Sequence, residues 1–408
     1  MSNLPISYDD VLAAAKRIKG GVNKTPAEYA EVLSEIFGAD IYLKFEIFQH
    51  TASFKERGAL NMLLSLPDAE KKHGVIAASA GNHAQGVAFH ATRLNIPATI
   101  VMPKDTPFTK VKRSEVLGAK VILHGNSFGE ALSRATEIAG KEDLTFIPTF
   151  DHPLIMAGHG TLAIEFLDRF PDLEALVVPI GGGGVISGVA VAAKAIKPDI
   201  KIYGVQSEIY PSMKAALEGK TIKPVTQTLA EGIAVKEAGK LTQKIVKELV
   251  EEVLIVPEIL IEQAINMFIE VEKVVVEGAA AAALAAVMAH PEIFKGKKTG
   301  LVLTGGNIDS KLLAFSLLRG LARDGRISRL RITAPDLPGS LAKMTQIVAE
   351  FGGNIMEVYH RRQFTNIALK YTNIELVVET KDAAHTDSIV KALEAEGFKV
   401  SVKPVTEA

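Results

Sequence analysis

The stretch ALVVPIGGGGVISG at residues 175–188 joins a strand pattern to four glycines and a helix pattern. Its first six residues form a continuous apolar run, which is typical of a parallel strand buried on both faces of a sheet. The glycines expose backbone N–H groups at the start of a helix predicted over residues 189–196, and such a loop favours a phosphate. One or two glycines would be enough for a tight turn. We therefore interpret this stretch as a phosphate-binding strand–loop–helix unit.

Similar apolar runs alternate with helical patterns on both sides of this stretch. They cover residues 74–78, 98–102, 120–123, 175–180, 201–205 and 300–304. Strands separated by helices predict parallel sheets in an α/β fold. We expect two such sheets, one within about residues 50–150 and one drawn mainly from residues 150–325. The smaller subdomain is thus nested in the larger one.

The pattern changes after residue 325. Strand patterns at residues 330–333, 354–360, 373–379 and 399–402 surround helix patterns at residues 339–351 and 382–396. This order, βαββαβ, is that of a ferredoxin-like fold. We predict two domains, residues 1–325 and residues 326–408.

A lysine stands at an unusual place in the stretch HTASFKERGAL, residues 50–60. Ser53 and Glu56 fit a capping box and are followed by an apolar run with helical spacing, which predicts a helix start. Lys55 would then lie in the first helical turn, where the helix dipole disfavours a cation. Either its amine points into water or the uncharged amine is the useful form.

Two further loops of small residues follow predicted strands, SAGNHAQG at residues 79–86 and TGGN at residues 304–307. Ligands of α/β sheets bind at such strand ends, and donors at a helix start suit a carboxylate or phenolic oxygen. A phosphorylated cofactor that carries an aldehyde would use these loops, the glycines and Lys55 together, and pyridoxal phosphate is such a cofactor. A nicotinamide-dependent oxidoreductase stays open, since Glu208 ends the next strand, although Ser187 replaces the third glycine of the dinucleotide fingerprint.

Composition excludes several classes of protein. The 408 residues include 46 Lys and Arg against 47 Asp and Glu, a formal net charge of −1, so we expect no nucleic-acid or membrane partner. There are no cysteines, which excludes disulfides and thiolate metal sites, and we see no metal-ligand spacing. The longest apolar run, residues 278–289, is too short to span a bilayer and predicts a buried helix. The first ten residues lack an apolar segment, so we expect no signal peptide and a cytoplasmic protein.

The motifs SFKERGA, SAGNHAQG, GGGGVISG and LTGGN, in this order, resemble those of the fold-type II pyridoxal-phosphate enzymes. The resemblance covers about residues 5–320 and is closest to the threonine (serine) dehydratases, or threonine ammonia-lyases. Residues 330–408 resemble an ACT domain. The resemblance implies conversion of L-threonine to 2-oxobutanoate and ammonia, and of L-serine to pyruvate, by β-elimination. It also implies feedback by an amino acid such as isoleucine or valine, and a homo-oligomer, a dimer or tetramer.

The resemblance also implies roles for individual residues. Lys55 would bind the cofactor covalently and act in catalysis, Asn82 would meet the ring hydroxyl, Thr304 the ring nitrogen, and Glu277 would lie near the ring. Three further groups follow. The phosphate would be bound by Gly181, Gly182, Gly183 and Gly184, the substrate carboxylate by Ser79, Ala80, Gly81, Asn82 and His83, and the effector by Asp336, Gly339 and Asn354. For Glu277, an acid that complements the start of a helix is an equally good interpretation.

Several positions depart from the pattern of the family. Ala80 replaces the serine of related serine racemases, so racemisation should be poor. The usual AGQGT is AGHGT at residues 157–161, ADG is AEG at residues 230–232, and HTAS precedes the lysine. The substrate could therefore be another 3-hydroxy amino acid, of the 3-hydroxyaspartate or phenylserine type. A non-catalytic amino-acid sensor that uses only the ACT domain is a further alternative.

Overall fold

The computed structural model describes residues 4–223, 226–361 and 367–403. The chain divides into two compact units, Met1–Ile308 and Asp309–Ala408. The helix that precedes residue 325 lies in the second unit. The predicted boundary at residue 325 stays a prediction.

Strands and helices alternate along the first unit. Its strands are β1 (Ala27–Tyr29), β2 (Asp40–Phe45), β3 (Val75–Ala78), β4 (Ala98–Met102), β5 (Lys120–Leu123), β6 (Thr145–Phe146), β7 (Ala175–Pro179), β8 (Lys201–Ser207), β9 (Glu252–Val256) and β10 (Lys298–Leu303). Its helices are α1 (Tyr8–Ile18), α2 (Glu31–Phe37), α3 (Lys55–Ser65), α4 (Asp68–His73), α5 (Asn82–Arg93), α6 (Phe108–Val116), α7 (Phe128–Glu142), α8 (Pro153–Arg169), α9 (Gly184–Ile196), α10 (Ser212–Leu217), α11 (Lys240–Leu249), α12 (Glu258–Glu270), α13 (Gly278–Ala289) and α14 (Pro291–Phe294).

The predicted small sheet is confirmed. Strands β5, β4, β3 and β6 lie in this order and all pair in parallel. All four residues of β3 are buried, because helices cover both faces of a parallel sheet and its central strand meets no solvent. Helix α5 packs on this sheet through Ala84, Val87, Ala88 and Ala91.

The large sheet has the order β1-β2-β10-β7-β8-β9. Strand β10 pairs in parallel with β2 and β7, as β8 does with β7 and β9, whereas β1 pairs antiparallel with β2. The pattern of apolar runs did not predict β1, β2 or β9. Strand β2 reads DIYLKF, in which Lys44 interrupts the apolar residues. Its sequence therefore lacks the continuous apolar run of a central strand, although Lys44 is fully buried.

The alanine-rich run forms α13, as predicted. Nearly all of its side chains are buried, and small side chains let it lie close to the large sheet and to α12. Within residues 4–223, 226–361 and 367–403, no helix has the length and apolar character needed to cross a bilayer.

The second unit carries the predicted βαββαβ order after an additional helix. Its elements are α15 (Ser310–Arg323), β11 (Ile327–Pro335), α16 (Ser340–Glu350), β12 (Asn354–Arg361), β13 (Tyr371–Glu379), α17 (Ala383–Ala395) and β14 (Lys399–Lys403). The sheet is antiparallel with the order β12-β13-β11-β14. One face of it, including Leu330, Ile332 and Leu376, packs against Met344 and Ile389 of the two helices. This is a ferredoxin-like fold.

Candidate functional site

Three loops at the carboxyl ends of strands converge in the first unit. Residues 79–81 follow β3, residues 181–183 follow β7, and residues 304–307 follow β10. The start of α3 meets the loop at residues 304–307, because Ser53 forms an isolated bridge with Gly305 and the Phe54 N–H donates to the Thr304 carbonyl at 3.0 Å. The lysine and the glycine-containing loops that the sequence singled out therefore lie at one site.

Helix α3 begins at Lys55, but the predicted capping box is wrong. Phe54 occupies the N-cap position, and no side chain caps the helix. The Ser53 hydroxyl is buried without a hydrogen-bond partner among the described residues. The Glu56 carboxylate instead accepts from the Thr51 N–H and pairs with His90 Nε2 at 3.2 Å. The bridge to Gly305 fixes Ser53, so tertiary contacts rather than a local cap start this helix.

Lys55 lies in an environment that favours its neutral form. Its Nζ donates to the Thr149 carbonyl at 3.0 Å and lies 5.1 Å from the centroid of the Phe54 ring. Burial lowers the pKa of Lys55 to about 8, and the nearby carboxylate of Glu277 opposes this shift only in part. About a tenth of this amine is therefore uncharged at pH 7, far more than for an ordinary lysine.

Two buried imidazoles flank the lysine. His83 Nε2 lies 3.1 Å from the Ile147 carbonyl, and burial together with the Lys55 charge lowers the pKa of His83 to about 3. His159 packs edge-on against Phe54, with ring centroids 4.7 Å apart. Burial is the main reason, and the charge of Lys55 the second, why the pKa of His159 lies well below its ordinary value. Neither nitrogen of the His159 ring has a hydrogen-bond partner among the described residues. Both rings are thus neutral, and they add no positive charge beside the amine.

Gly58 makes room for the His159 ring, and we expect Gly58→Ala to destabilise the fold. A Cβ at Gly58 would lie 2.4 Å from Cε1 of His159. Overpacking of this kind costs about 1–3 kcal/mol, which outweighs the roughly 0.5–1 kcal/mol that alanine usually gains over glycine in a helix. Chemical denaturation should show a lower free energy of unfolding for this variant. As a matched control, Gly140→Ala in α7 meets nothing within 4 Å and should be neutral or stabilising. Equal effects of the two changes would contradict this account.

Asn82 is held by side chains from two other loops. Its amide nitrogen donates to both carboxylate oxygens of Glu277, at 2.8 and 3.0 Å. Its amide oxygen accepts from Nδ2 of Asn307 at 2.8 Å, and the same nitrogen donates to the Thr51 carbonyl at 2.7 Å. Burial raises the pKa of Glu277, and the hydrogen bond from Asn82 opposes this shift. Glu277 does precede a helix, but its carboxylate makes no capping hydrogen bond there.

The role of Asn307 was missed by sequence reasoning. The motif TGGN included it, but only Thr304 was given a function. An asparagine directly after such a loop was the available signal, since its amide can fix two neighbouring segments at once.

The four glycines leave no room for side chains. A Cβ at Gly182 would lie 2.3 Å from the Phe150 ring, and Gly183 has φ +97° and would meet Thr242 Oγ1 at 2.8 Å. A Cβ at Gly181 would lie 3.3 Å from the carbonyl oxygen of Gly232. The loop therefore offers its backbone alone, which is what an anion-binding loop requires.

The described residues fit pyridoxal phosphate. The Thr304 hydroxyl is buried and has no partner among them, and so it is free to meet a ring nitrogen. Gly81 lies half-exposed at the N-terminus of α5, and a Cβ there would meet nothing within 4 Å, so a ligand can approach its backbone. Ser79 and Ala80 are half-exposed beside it, and Ser79 Oγ accepts from the Gly81 N–H at 3.2 Å.

A buried group of four charges lies behind α3. Arg57 pairs with Glu46 and Glu165, each at 2.7 Å, and Lys44 pairs with Glu165 at 2.7 Å and with Glu46 at 3.8 Å. Arg57, Lys44 and Glu46 are fully buried. This buried charge quartet joins β2, α3 and α8, and so it anchors the helix that begins with Lys55.

The three residues predicted to bind an effector do not converge within one chain. Asp336 and Gly339 follow the end of β11, where Pro335 pairs with Tyr371. Asn354 begins β12 and is paired with Glu379, at the other end of the sheet. At about 3.3 Å per residue, the nine residues of β11 separate them by roughly 25 Å.

Glu208, the residue that kept an oxidoreductase open, has a structural role. Its Oε1 accepts from the Glu258 N–H at 3.1 Å and so caps the start of α12. Among the described residues, no group of three or more His, Asp or Glu is placed to bind a metal ion.

Comparison with known proteins also points to pyridoxal phosphate as the cofactor. The family model described as pyridoxal-phosphate dependent enzyme matches residues 18–305, and the ACT domain model matches residues 328–398. The L-threonine ammonia-lyase of Thermotoga maritima is 44% identical over 399 residues, which cover 97% of this chain and 99% of that protein. The L-threo-3-hydroxyaspartate ammonia-lyase of Saccharomyces cerevisiae is 39% identical and covers 76% of this chain and 95% of its own length. The processed form of threonine deaminase isoform 2 from Solanum lycopersicum has a TM-score of 0.71 at 37% identity, and the match covers 76% of this chain and 86% of that one.

Proposed function

The chain belongs to the pyridoxal-phosphate-dependent enzymes and carries a C-terminal ACT domain, and from this we propose that it is an ammonia-lyase of L-threonine. The products would be 2-oxobutanoate and ammonia, and L-serine would give pyruvate. The observation that carries the proposal is the Lys55 amine, with its pKa lowered to about 8, next to the Asn82–Glu277 pair. The relatives named L-threonine ammonia-lyase, 40–44% identical over 399 residues, support it.

Lys55 has two tasks in this proposal. When bound, pyridoxal phosphate supplies an electron sink that makes the α-proton of an amino acid removable. Nζ of Lys55 holds the cofactor at rest, and as a free neutral amine it removes that proton. Since the pKa values of His83 and His159 lie well below that of Lys55, neither ring competes for the proton at Nζ.

The remaining residues bind and orient. The backbone N–H groups of residues 181–184 hold the phosphate, and those at the start of α5 hold the substrate carboxylate. Asn82, fixed by Glu277 and Asn307, meets the ring hydroxyl. Thr304 offers the ring nitrogen a hydroxyl rather than a carboxylate, so that nitrogen is not kept protonated by an acid. We infer that this favours prompt loss of the β-hydroxyl over transamination.

Attachment of the cofactor should depend on pH with a midpoint near 8. Only the neutral amine attacks the aldehyde, and its fraction rises as pH rises through the pKa of Lys55, about 8. Below this value, each pH unit should slow attachment about tenfold, whereas an ordinary lysine would require a pH near 10.4. Stopped-flow absorbance of cofactor-free protein mixed with pyridoxal phosphate measures this rate. A midpoint above about 10 would contradict the lowered pKa.

The proposed activity is tested with a panel of four amino acids. Ammonia release is measured from L-threonine, L-serine, L-threo-3-hydroxyaspartate and L-threo-phenylserine. If kcat/KM is highest for L-threonine, the proposal is supported. A higher value for L-threo-3-hydroxyaspartate or L-threo-phenylserine would make that amino acid the proposed substrate instead. Release from none, together with binding of isoleucine, would favour the non-catalytic sensor.

We propose an amino-acid effector, isoleucine or valine, for the ACT domain. Asp336 and Gly339 border the loop that enters α16, and Gly339, with φ +92°, leaves its surroundings open. Asn354 of the same chain is too distant to share this contact. Isothermal titration of the protein with isoleucine and valine, repeated with Gly339→Val, tests the loop. A homo-oligomer and a cytoplasmic location remain proposals.

A further inference from the structure

Helix α6 is joined to the residues of the site by two polar contacts. Nζ of Lys110 lies 2.5 Å from Oε2 of Glu231, and NH1 of Arg113 donates to Oδ1 of Asn307 at 2.8 Å. Lys110 and Arg113 are three residues apart on one helix, so they share a face. Asn307 is the residue that holds Asn82. The face of α6 that carries these two cations is thus turned towards the site.

Glu231 immediately precedes a residue that contacts the proposed site. The next residue, Gly232, is packed so closely that a Cβ there would lie 3.0 Å from Oε1 of Glu277. The carbonyl of Gly232 in turn faces Gly181 of the predicted phosphate loop. Gly232 therefore lies between the proposed phosphate loop and Glu277, and Glu231 is its neighbour in the chain. In agreement, the charge of Glu231 helps to raise the pKa of Glu277, and the charge of Lys110 acts to lower it.

We propose that Glu231 is a specificity residue that selects against a second carboxylate on the substrate, an inference that rests on the proposed function. A substrate with a β-carboxylate would bring a negative charge towards Glu231 and Glu277. The cation that could receive it, Lys110, is already paired with Glu231. Arg113 is exposed and bound to Asn307, so solvent and salt screen its charge. The methyl group of threonine carries no charge and is unaffected by this arrangement.

Glu231 is thus the residue to change. Glu231→Gln keeps the shape of the side chain, removes one negative charge and frees Lys110. We expect kcat/KM for L-threo-3-hydroxyaspartate, divided by that for L-threonine, to rise at least about tenfold. The visible absorbance of the bound cofactor checks that the variant still binds it. Glu231 is more than half exposed, so the variant should fold.

A second variant separates the two parts of the inference. In the double variant Lys110→Met with Glu231→Gln, no freed cation exists, and most of the rise in the ratio of kcat/KM values should disappear. If the double variant keeps the whole rise in this ratio, the role assigned to Lys110 as the freed cation is overturned. A matched control is Glu251→Gln, which breaks an exposed pair with Lys201 of 2.8 Å at the opposite, amino-terminal edge of the large sheet. It should leave the ratio unchanged.

The failure of this inference differs from that of the proposed function. If the unchanged protein uses L-threonine and the ratio stays the same in Glu231→Gln, the specificity role of Glu231 is overturned alone. If the unchanged protein releases ammonia from no 3-hydroxy amino acid, the proposed function fails and the inference falls with it.

Discussion

Lys55→Ala should abolish both covalent attachment of pyridoxal phosphate and release of ammonia. Alanine has no amine to bind the aldehyde or to remove the α-proton, and the flanking imidazoles cannot replace it at the same position. We expect a loss of at least about 10⁴-fold in kcat, more than a single proton-transfer residue usually contributes, since two tasks are lost together. Ammonia release and the visible absorbance of the cofactor are the two measurements.

The attachment itself can be located. Borohydride reduction fixes the bond between an amine and the cofactor, and mass spectrometry of the digested protein then identifies the residue. The label is expected on Lys55 in the unchanged protein and nowhere in Lys55→Ala. Lys141→Ala, which removes an exposed lysine of α7, serves as the control and should keep both label and activity. A label on another lysine in the unchanged protein would contradict the assignment of Lys55.

Arg57→Met should destabilise the first unit by about 3–5 kcal/mol. The guanidinium makes ion pairs of 2.7 Å with Glu46 and Glu165, and Glu46 has no exposed surface. Without Arg57 one negative charge of the quartet is left uncompensated, and an unpaired buried charge is far more costly than the pair itself contributes. Denaturant titration followed by circular dichroism gives the change in the free energy of unfolding.

An exposed pair provides the comparison for this result. Arg134 pairs with Glu137 at 2.6 Å on the surface of α7. Arg134→Met makes the same change of side chain, and because solvent screens such pairs the loss should be less than about 1 kcal/mol. Similar losses for the two variants would show that the buried position of Arg57 has no special weight.

The alternation of strands and helices, and the loops at strand ends, could be predicted from the sequence. Continuous apolar runs and glycine-rich turns are local signals, and the carboxyl ends of parallel strands meet at one edge of a sheet. The predicted strand at residues 98–102, for example, has the observed bounds of β4. The sequence alone therefore predicts that Gly182 and Thr304 lie near each other.

Features that depend on distant residues were not predictable in the same way. Strand β2 was missed because its Lys44 reads as a surface residue until Glu165, 121 positions later, is placed beside it. The capping box of Ser53 and Glu56 was a correct local pattern that tertiary contacts override. Asn307 could be found only once Thr51 and Asn82 had been brought to it by the fold.

The effector residues show a different limit. Asp336 and Asn354 were grouped because the resemblance to an ACT domain implied a role for both. In the predicted βαββαβ order, however, the helix between β11 and β12 makes these two strands parallel, so the start of β12 lies at the opposite edge of the sheet from the end of β11. The register of β12 on β13 agrees, since it puts Asn354 beside Glu379.

The buried charge quartet also restricts how this sequence can change over generations. Two positive and two negative side chains cancel, so any single substitution that alters one charge leaves a net charge inside the protein. Viable replacements must then arrive as compensating pairs, such as Lys44 with Glu165 or Arg57 with Glu46. A lineage that has lost one member can recover only by the rarer event of a second change at a matched position. We therefore expect positions far apart in the chain to change together, since the quartet that anchors the helix beginning at Lys55 joins residues 44, 46, 57 and 165.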